Sequence, residues 1–260
     1  MVKILSKVKV LMLRAPGTNR DVDTQIAFET VGADVSNALV WELFRKEKRL
    51  SDYHIAVIPG GFTYGDDISA GRIMANEIRI RLGKDIKKFV DDGRLVLGIC
   101  NGFQVLVKTG ILPGITGQSA QPVTLTNNDS GKFECRWVYL KVNKKSPCIF
   151  TKGIDRIYAP VAHGEGKLVA EPGMLVKLNI VVQYVDAKGK TRAGYPYNPN
   201  GSVDDIAGIC DASGRIFGLM PHPEDFIRWT QHPRWTREKK REDLYGLQIF
   251  TNAVSWAKGI

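Results

Sequence analysis

What this sequence lacks narrows it before anything it contains. The 260 residues hold four cysteines, Cys100, Cys135, Cys148 and Cys210, and no two form a C-x-x-C pair, so neither a zinc knuckle nor a disulfide scaffold is expected. Cys135, Cys148 and Cys210 read as small buried hydrophobes. No apolar run approaches the roughly 18 residues of a membrane span, and residues 1–14 interleave lysines with apolar residues, which reads as a strand and not as a signal peptide. There is no G-x-x-x-x-G-K-[ST] and no G-x-G-x-x-G after a strand, so no nucleotide site is expected in this chain. Repeats and low-complexity tracts are missing. The default address is the cytoplasm.

Acid is also in short supply. Lys and Arg number 37 against 27 Asp and Glu, for a formal charge of +10 and a pI near 9.4. The excess is spread along the chain and is densest at 228–242, with six Lys/Arg against two Glu. That stretch reads first as a solvated, lysine-rich face and second as a docking surface for an acidic partner. No RNA- or DNA-binding motif accompanies it, so neither nucleic acid nor a membrane is expected as partner. What is present, 43% hydrophobic and 25% charged residues, is the balance of an ordinary globular protein, long enough to bury a full core without staples. One domain over 1–260 accommodates it.

Periodicity gives an α/β order. Strands are expected at 8–15, from about Asp34, at 54–61 and at 94–100. A helix is expected from about Val22 to Val31, capped by Asn19 and Asp21, and a long amphipathic one from Ala70 to Asp92 with Ile73, Ile78, Leu82, Ile86, Phe89 and Val90 inward. A further helix follows at 101–110, with Gly110 at its C-terminal end. After Gly117 the texture changes to strands (133–142, 176–185, 215–223) joined by Gly/Asn/Pro turns. Residues 198–205 are the most turn-like stretch, and the last helix runs from about Asp243 to Lys258. The expected fold is a mostly parallel sheet with helices on both faces, flavodoxin-like, with extra strands in the second half.

Three short motifs carry chemistry. In Gly98-Ile99-Cys100-Asn101-Gly102 a cysteine stands where a buried strand turns into a helix, with glycine on either side at i−2 and i+2. This is the thiol counterpart of the G-x-S-x-G elbow, whose tight turn needs small neighbours and whose helix N-terminus favours a thiolate. A thiol nucleophile needs a base and a group to orient that base. In Pro221-His222-Pro223-Glu224, an extended chain would point His222 and Glu224 the same way, so that Glu224 holds one imidazole nitrogen and leaves the other for Cys100. Attack on an amide makes an oxyanion, and the N–H groups of Gly61, in Pro59-Gly60-Gly61, and of Asn101 are the candidate donors.

Together these motifs resemble the class I, triad-type glutamine amidotransferases, with Cys100, His222 and Glu224 at the triad positions. The segments PGTNRD (16–21), GGFTYGDD (60–67), GICNGFQ (98–104), AHGEGK (162–167), NPNGS (198–202), IAGICD (206–211) and GLMPHPE (218–224) are similar, more narrowly, to the glutaminase components of phosphoribosylformylglycinamidine synthases. Thr63 stands where that group usually has serine, Asp67-Ile68-Ser69 replaces a more usual Tyr-Leu-Arg, and 225–242 is longer than in compact members. The resemblance implies release of ammonia from glutamine and its use in an ATP-dependent amidation of purine biosynthesis. It implies a large synthetase subunit and a small bridging subunit as partners, with ATP and Mg²⁺ bound by the synthetase and no cofactor or metal here. It also implies that Gln104 and His163 contact substrate, although His163 reads equally as a structural loop histidine. The rivals are a free-standing cysteine hydrolase or peptidase of the same fold and a non-catalytic regulatory module.

Overall fold

The computed structural model describes residues 7–114 and 121–260; the textural change expected at Gly117 and the first six residues lie outside this range. The first half runs β1 (Lys9–Arg14), α1 (Asp21–Thr30), β2 (Asp34–Leu39), α2 (Val40–Phe44), β3 (Ile55–Ile58), α3 (Arg72–Arg81), α4 (Gly83–Asp91), β4 (Leu95–Ile99) and α5 (Asn101–Lys108). The second half contributes β5 (Val123–Thr126), β6 (Glu134–Val142), β7 (Arg156–His163), β8 (Lys167–Ala170), β9 (Asn179–Val185), β10 (Ile206–Cys210), β11 (Ile216–Leu219) and α6 (Leu247–Ala257).

Among the described residues nine strands form one sheet in the order β2-β1-β3-β4-β11-β10-β9-β6-β7, and β5 pairs with β8 apart from it. From β2 to β11 neighbouring strands are parallel. From β11 to β7 they are antiparallel, which are the extra strands expected of the second half. β3 and β4 are buried at every position, as strands covered on both faces must be. The chain leaves β1 in one direction for β2 and returns past β1 to β3. Right-handed crossovers then put α1 on one face and α2 to α5 on the other. α6 joins α1, with Phe28 and Phe250 meeting edge to face at 5.0 Å.

Five local expectations are corrected. α1 has Arg20 at its N-cap and no side-chain cap: Asp21 instead pairs with Arg14 at 2.7 Å, and the N–H groups of Asn19 and Arg20 both donate to Gly60 O. The helix expected over 70–92 is two, broken at Leu82 (φ −117°, ψ −3°) before Gly83, a poor helix former inside the run. Met74, not the half-buried Ile73, takes the inner position there. Cys135 is exposed, because it falls on the outward face of β6, whereas Cys148 and Cys210 are buried. α6 begins at Leu247, after a separate 3-10 turn at Glu242–Leu244.

Every residue of α5 is buried, and the helix packs on β3, β4 and β11 on one side and on α3 and β5 on others. A helix enclosed all round is apolar all round as a rule. This one carries Asn101, Gln104 and Lys108 inside, so each must find partners in the interior.

Candidate active site

The parallel register places Ile58 beside Gly98 and Gly98 beside Gly218. The segments leaving the C-terminal ends of β3, β4 and β11 therefore emerge side by side, where doubly wound sheets hold their ligands. Gly60-Gly61, Cys100 and His222 occupy those three exits. The Cys100 N–H donates to Leu219 O at 2.8 Å and locks two of them together.

Cys100 has φ 51° and ψ −106°, a conformation that costs a non-glycine residue on the order of 1–3 kcal/mol. Its neighbours explain why the turn persists. A Cβ on Gly102 would lie 1.9 Å from Ile58 O, and one on Gly98 would lie 2.6 Å from Leu106 Cδ1 and 2.7 Å from Gly102 C. Only glycine lets β3, β4 and α5 approach this closely. The thiol sits at the mouth of α5, 5% exposed, with its sulfur 3.8 Å from Ala162 O.

His222 and Glu224 are fully enclosed, and His222 Nδ1 lies 2.7 Å from Glu224 Oε1. The pairing expected from an extended chain is present, but its local cause differs: Pro223–Asp225 form a 3-10 turn, and the His222 N–H is held by Pro160 O at 2.8 Å. Burial alone would lower the pKa of His222, but the Glu224 carboxylate and the Cys100 sulfur outweigh it and raise the pKa well above its usual value. Nε2 of His222 has no hydrogen-bond partner of standard geometry among the described residues, yet the Cys100 sulfur lies near enough to help raise the imidazole pKa. A Cβ on Gly60 would meet His222 Cε1 at 2.8 Å, which fixes the imidazole against the β3 exit.

Gly61 has φ 149°, and a Cβ there would lie 2.8 Å from Gly17 O, so this position also requires glycine. The segment beyond it is pinned from outside, with the Phe62 N–H on Gly17 O at 2.9 Å and the Tyr64 N–H on Pro16 O at 2.7 Å. Asn101 opens α5, so its N–H is one of the four a helix leaves without an internal acceptor.

The two residues expected to contact substrate are brought near but are already engaged. Gln104 accepts from Asn101 Nδ2 at 2.9 Å and donates to Glu165 O at 2.5 Å. His163 pairs through Nδ1 with Asn128 Oδ1 at 3.1 Å, and burial, followed by the nearby His222, lowers its pKa to about 3. It is therefore neutral, and its buried Nε2 has no partner among the described residues.

Sequence reasoning missed the polar supports around these groups. Thr63 Oγ1 donates to Asn101 Oδ1 at 2.6 Å, and Asn101 Nδ2 donates to Asp66 Oδ1 at 3.1 Å. Buried Asn200 holds Gly166 O at 2.8 Å and Tyr184 Oη at 3.2 Å, tying the 163–167 turn to β9. Arg20 Nη1 reaches Asp225 at 3.4 Å beside the His222–Glu224 pair. One signal was available: Asn101, Gln104 and Lys108 follow i, i+3, i+7 spacing and share one face of a helix. Two open cavities, of about 820 and 470 Å³, lie elsewhere and are not lined by Cys100, His222 or Glu224. Among the described residues no cluster of His, Cys, Asp or Glu is arranged to hold a metal ion, and no helix is long and apolar enough to cross a membrane.

Comparison with known proteins identifies the family. The model of the CobB/CobQ-like glutamine amidotransferase domain matches residues 7–257. The phosphoribosylformylglycinamidine synthase subunit PurQ of Dehalococcoides mccartyi is 57% identical over 256 residues, covering 98% of this chain and 100% of the relative. Its counterpart in Methanococcus maripaludis is 40% identical over 273 residues, covering 98% and 99%. A chain in the structure of PurLQS from Thermotoga maritima superposes with a TM-score of 0.72 at 33% identity, covering 96% of this chain and 99% of that one. With matches that run its whole length, this chain belongs to the CobB/CobQ-like glutamine amidotransferase family.

Proposed function

We infer that this chain is the glutaminase subunit of a phosphoribosylformylglycinamidine synthase, with Cys100, His222 and Glu224 as its catalytic residues. It takes ammonia from glutamine and delivers it to a large synthetase subunit, with a small bridging subunit completing the assembly. The synthetase uses ATP and Mg²⁺ to convert formylglycinamide ribonucleotide to the amidine in purine biosynthesis. The observation that carries the chemistry is the strained, enclosed Cys100 beside an imidazole whose far nitrogen is held by a buried carboxylate at 2.7 Å. Relatives named as subunits of this synthase, matched end to end, carry the substrate class and the partners.

The sulfur of Cys100, as thiolate, attacks the side-chain amide carbon of glutamine, and the carbonyl electron pair moves onto oxygen. The N–H groups of Gly61 and Asn101 receive that oxyanion. As the C–N bond breaks, His222 gives its proton to the departing nitrogen and ammonia leaves. Water, deprotonated by the now neutral His222, attacks the thioester, and the sulfur departs as glutamate forms. Glu224 keeps the imidazole in the orientation and tautomer that both steps need.

Cys100→Ala tests the reading in the assembled synthase. It is expected to abolish synthesis from glutamine and to leave synthesis from free ammonia near wild type. Retention of glutamine use, or loss of the ammonia-dependent reaction as well, would overturn it.

A further inference from the structure

The loop leaving the candidate oxyanion strand is under unusual backbone strain. Tyr64 (φ 55°), Asp66 (φ 54°) and Ile68 (φ 71°) are all left-handed without being glycine. Such residues hold that conformation only where surrounding contacts over-determine it. Tyr64 is held by Pro16 O and by Glu77, and further contacts come from α5. Asn101 accepts from Thr63 Oγ1 at 2.6 Å and donates to Asp66 at 3.1 Å, while its Nδ2 also reaches Gln104 Oε1 at 2.9 Å. Gln104 continues the chain to Glu165 O at 2.5 Å. The Glu165 carboxylate returns to the same loop and accepts from the Ala70 N–H at 3.2 Å.

Lys108 closes this circuit. Its side chain is 3% exposed, and its ammonium donates to Ser69 Oγ at 2.5 Å and to Ala70 O, with Glu165 Oε2 at 3.6 Å. It lies seven residues beyond Asn101, on the same helical face, so one rigid helix holds the strained loop at both ends. A full charge is costly to bury, and an apolar residue would fill the same space on a helix this enclosed. Burial pushes the lysine pKa down, and Glu165 and Asp66 oppose the shift.

We propose that Lys108 is a positioning residue for the amide-cleaving step: by clamping the Ser69–Ala70 end of the loop and the Glu165 turn to α5, it keeps the Gly61 and Asn101 N–H groups aimed at one point. The proposal rests on the reading of Gly61 and Asn101 as oxyanion donors. Lys108 touches no substrate; it acts through the loop and through Asn101.

The test uses the assembled synthase and separates steps that need the oxyanion donors from one that does not. An aldehyde analogue of glutamine adds the Cys100 sulfur to its carbonyl carbon and moves the π pair onto oxygen, so its affinity reads the donors. Iodoacetamide forms an S–C bond at a saturated carbon with loss of iodide, and needs no such donors. In Lys108→Met, kcat for glutamine hydrolysis and aldehyde affinity are expected to fall together, by about 10- to 100-fold for a displacement of up to an ångström. KM for glutamine and the alkylation rate of Cys100 should stay near wild type. Lys108→Met/Glu165→Gln removes the unpaired charge, so stability should recover while turnover stays low. Thr63→Val deletes one link at nearly constant shape and should show the same pattern at lower amplitude, which keeps the test open if Lys108→Met does not fold. Wild-type kinetics in folded Lys108→Met, an equal loss of alkylation rate, or turnover restored in the double variant would each overturn the proposal. Retention of glutamine turnover by Cys100→Ala would instead remove the thiol mechanism, which is a separate failure.

Discussion

Asp225, directly after Glu224, offers a test of the site's electrostatics that does not depend on turnover. Its carboxyl is raised from the ordinary 3.8 to about 6, chiefly by burial and then by the charge of Glu224, with His222 and Arg20 opposing. A folded pKa above the unfolded one means that the native state holds the proton more tightly. The resulting stabilisation is complete below about pH 3.8, fades as pH rises through about 6, and is gone above it. Near pH 8 the protein therefore carries a charge it would fold better without. The displacement of about two units corresponds to about 3 kcal/mol at 1.36 kcal/mol per unit. The side chain is 19% exposed and faces a half-exposed Arg20 at 3.4 Å, so screening reduces this to about 1–2 kcal/mol. Asp225→Asn keeps the shape and removes the charge. It should raise the unfolding free energy near pH 8 by that amount, read as a higher urea midpoint at unchanged m-value, shift Tm upward by a few degrees, and have an effect that shrinks as pH falls from 6 toward 3.8. Lower stability of the variant near pH 8 would show that the Arg20 ion pair outweighs desolvation and would refute the reasoning.

Two further predictions concern the base and the basic segment. His222→Ala should remove nearly all glutaminase turnover, and Glu224→Ala should remove less, against the roughly 10²- to 10⁴-fold contribution of a positioned acid–base group; full activity in both would sink the assignment. In 228–242, Arg234 pairs with Glu238, and nearby Lys240 and Arg241 pair with Glu242 and Asp243. Reversing Lys239, Lys240 and Arg241 to glutamate should slow association with the synthetase more than dissociation, with an effect that fades over the roughly 8 Å Debye length of physiological salt; unchanged association rates at low salt would make this stretch a solvated face only.

How much of this was legible beforehand follows the range of the interactions. The elbow was readable because its cause is local: Gly98 and Gly102 flank Cys100 within one turn, and each glycine answers a contact that any Cβ would violate. The buried strands β3 and β4 were readable for the same reason, as short apolar runs ending in turns. The α1 cap was misread because Asp21 is drawn to Arg14, and Asn19 to the β3 exit, by tertiary contacts that outbid local capping. The buried fate assigned to Cys135 depended on which face of β6 the sheet would cover, and alternation alone does not choose a face.

The supports of the site were hidden by distance along the chain. Glu165, Thr63, Asp66 and Ser69 come from other segments and meet α5 only through the assembled sheet. Their helical counterparts were within reach of inspection, because polar residues at i, i+3 and i+7 on a helix with no exposed face must find partners inside. The same logic explains why the two halves of the candidate nucleophile–base pair could be matched from sequence although they lie far apart. β4 and β11 are parallel neighbours with Gly98 beside Gly218, and both strands end at the same edge of the sheet. Once that register is set, the chain leaving β11 has to pass the chain leaving β4, and His222 arrives beside Cys100 as a consequence of strand pairing.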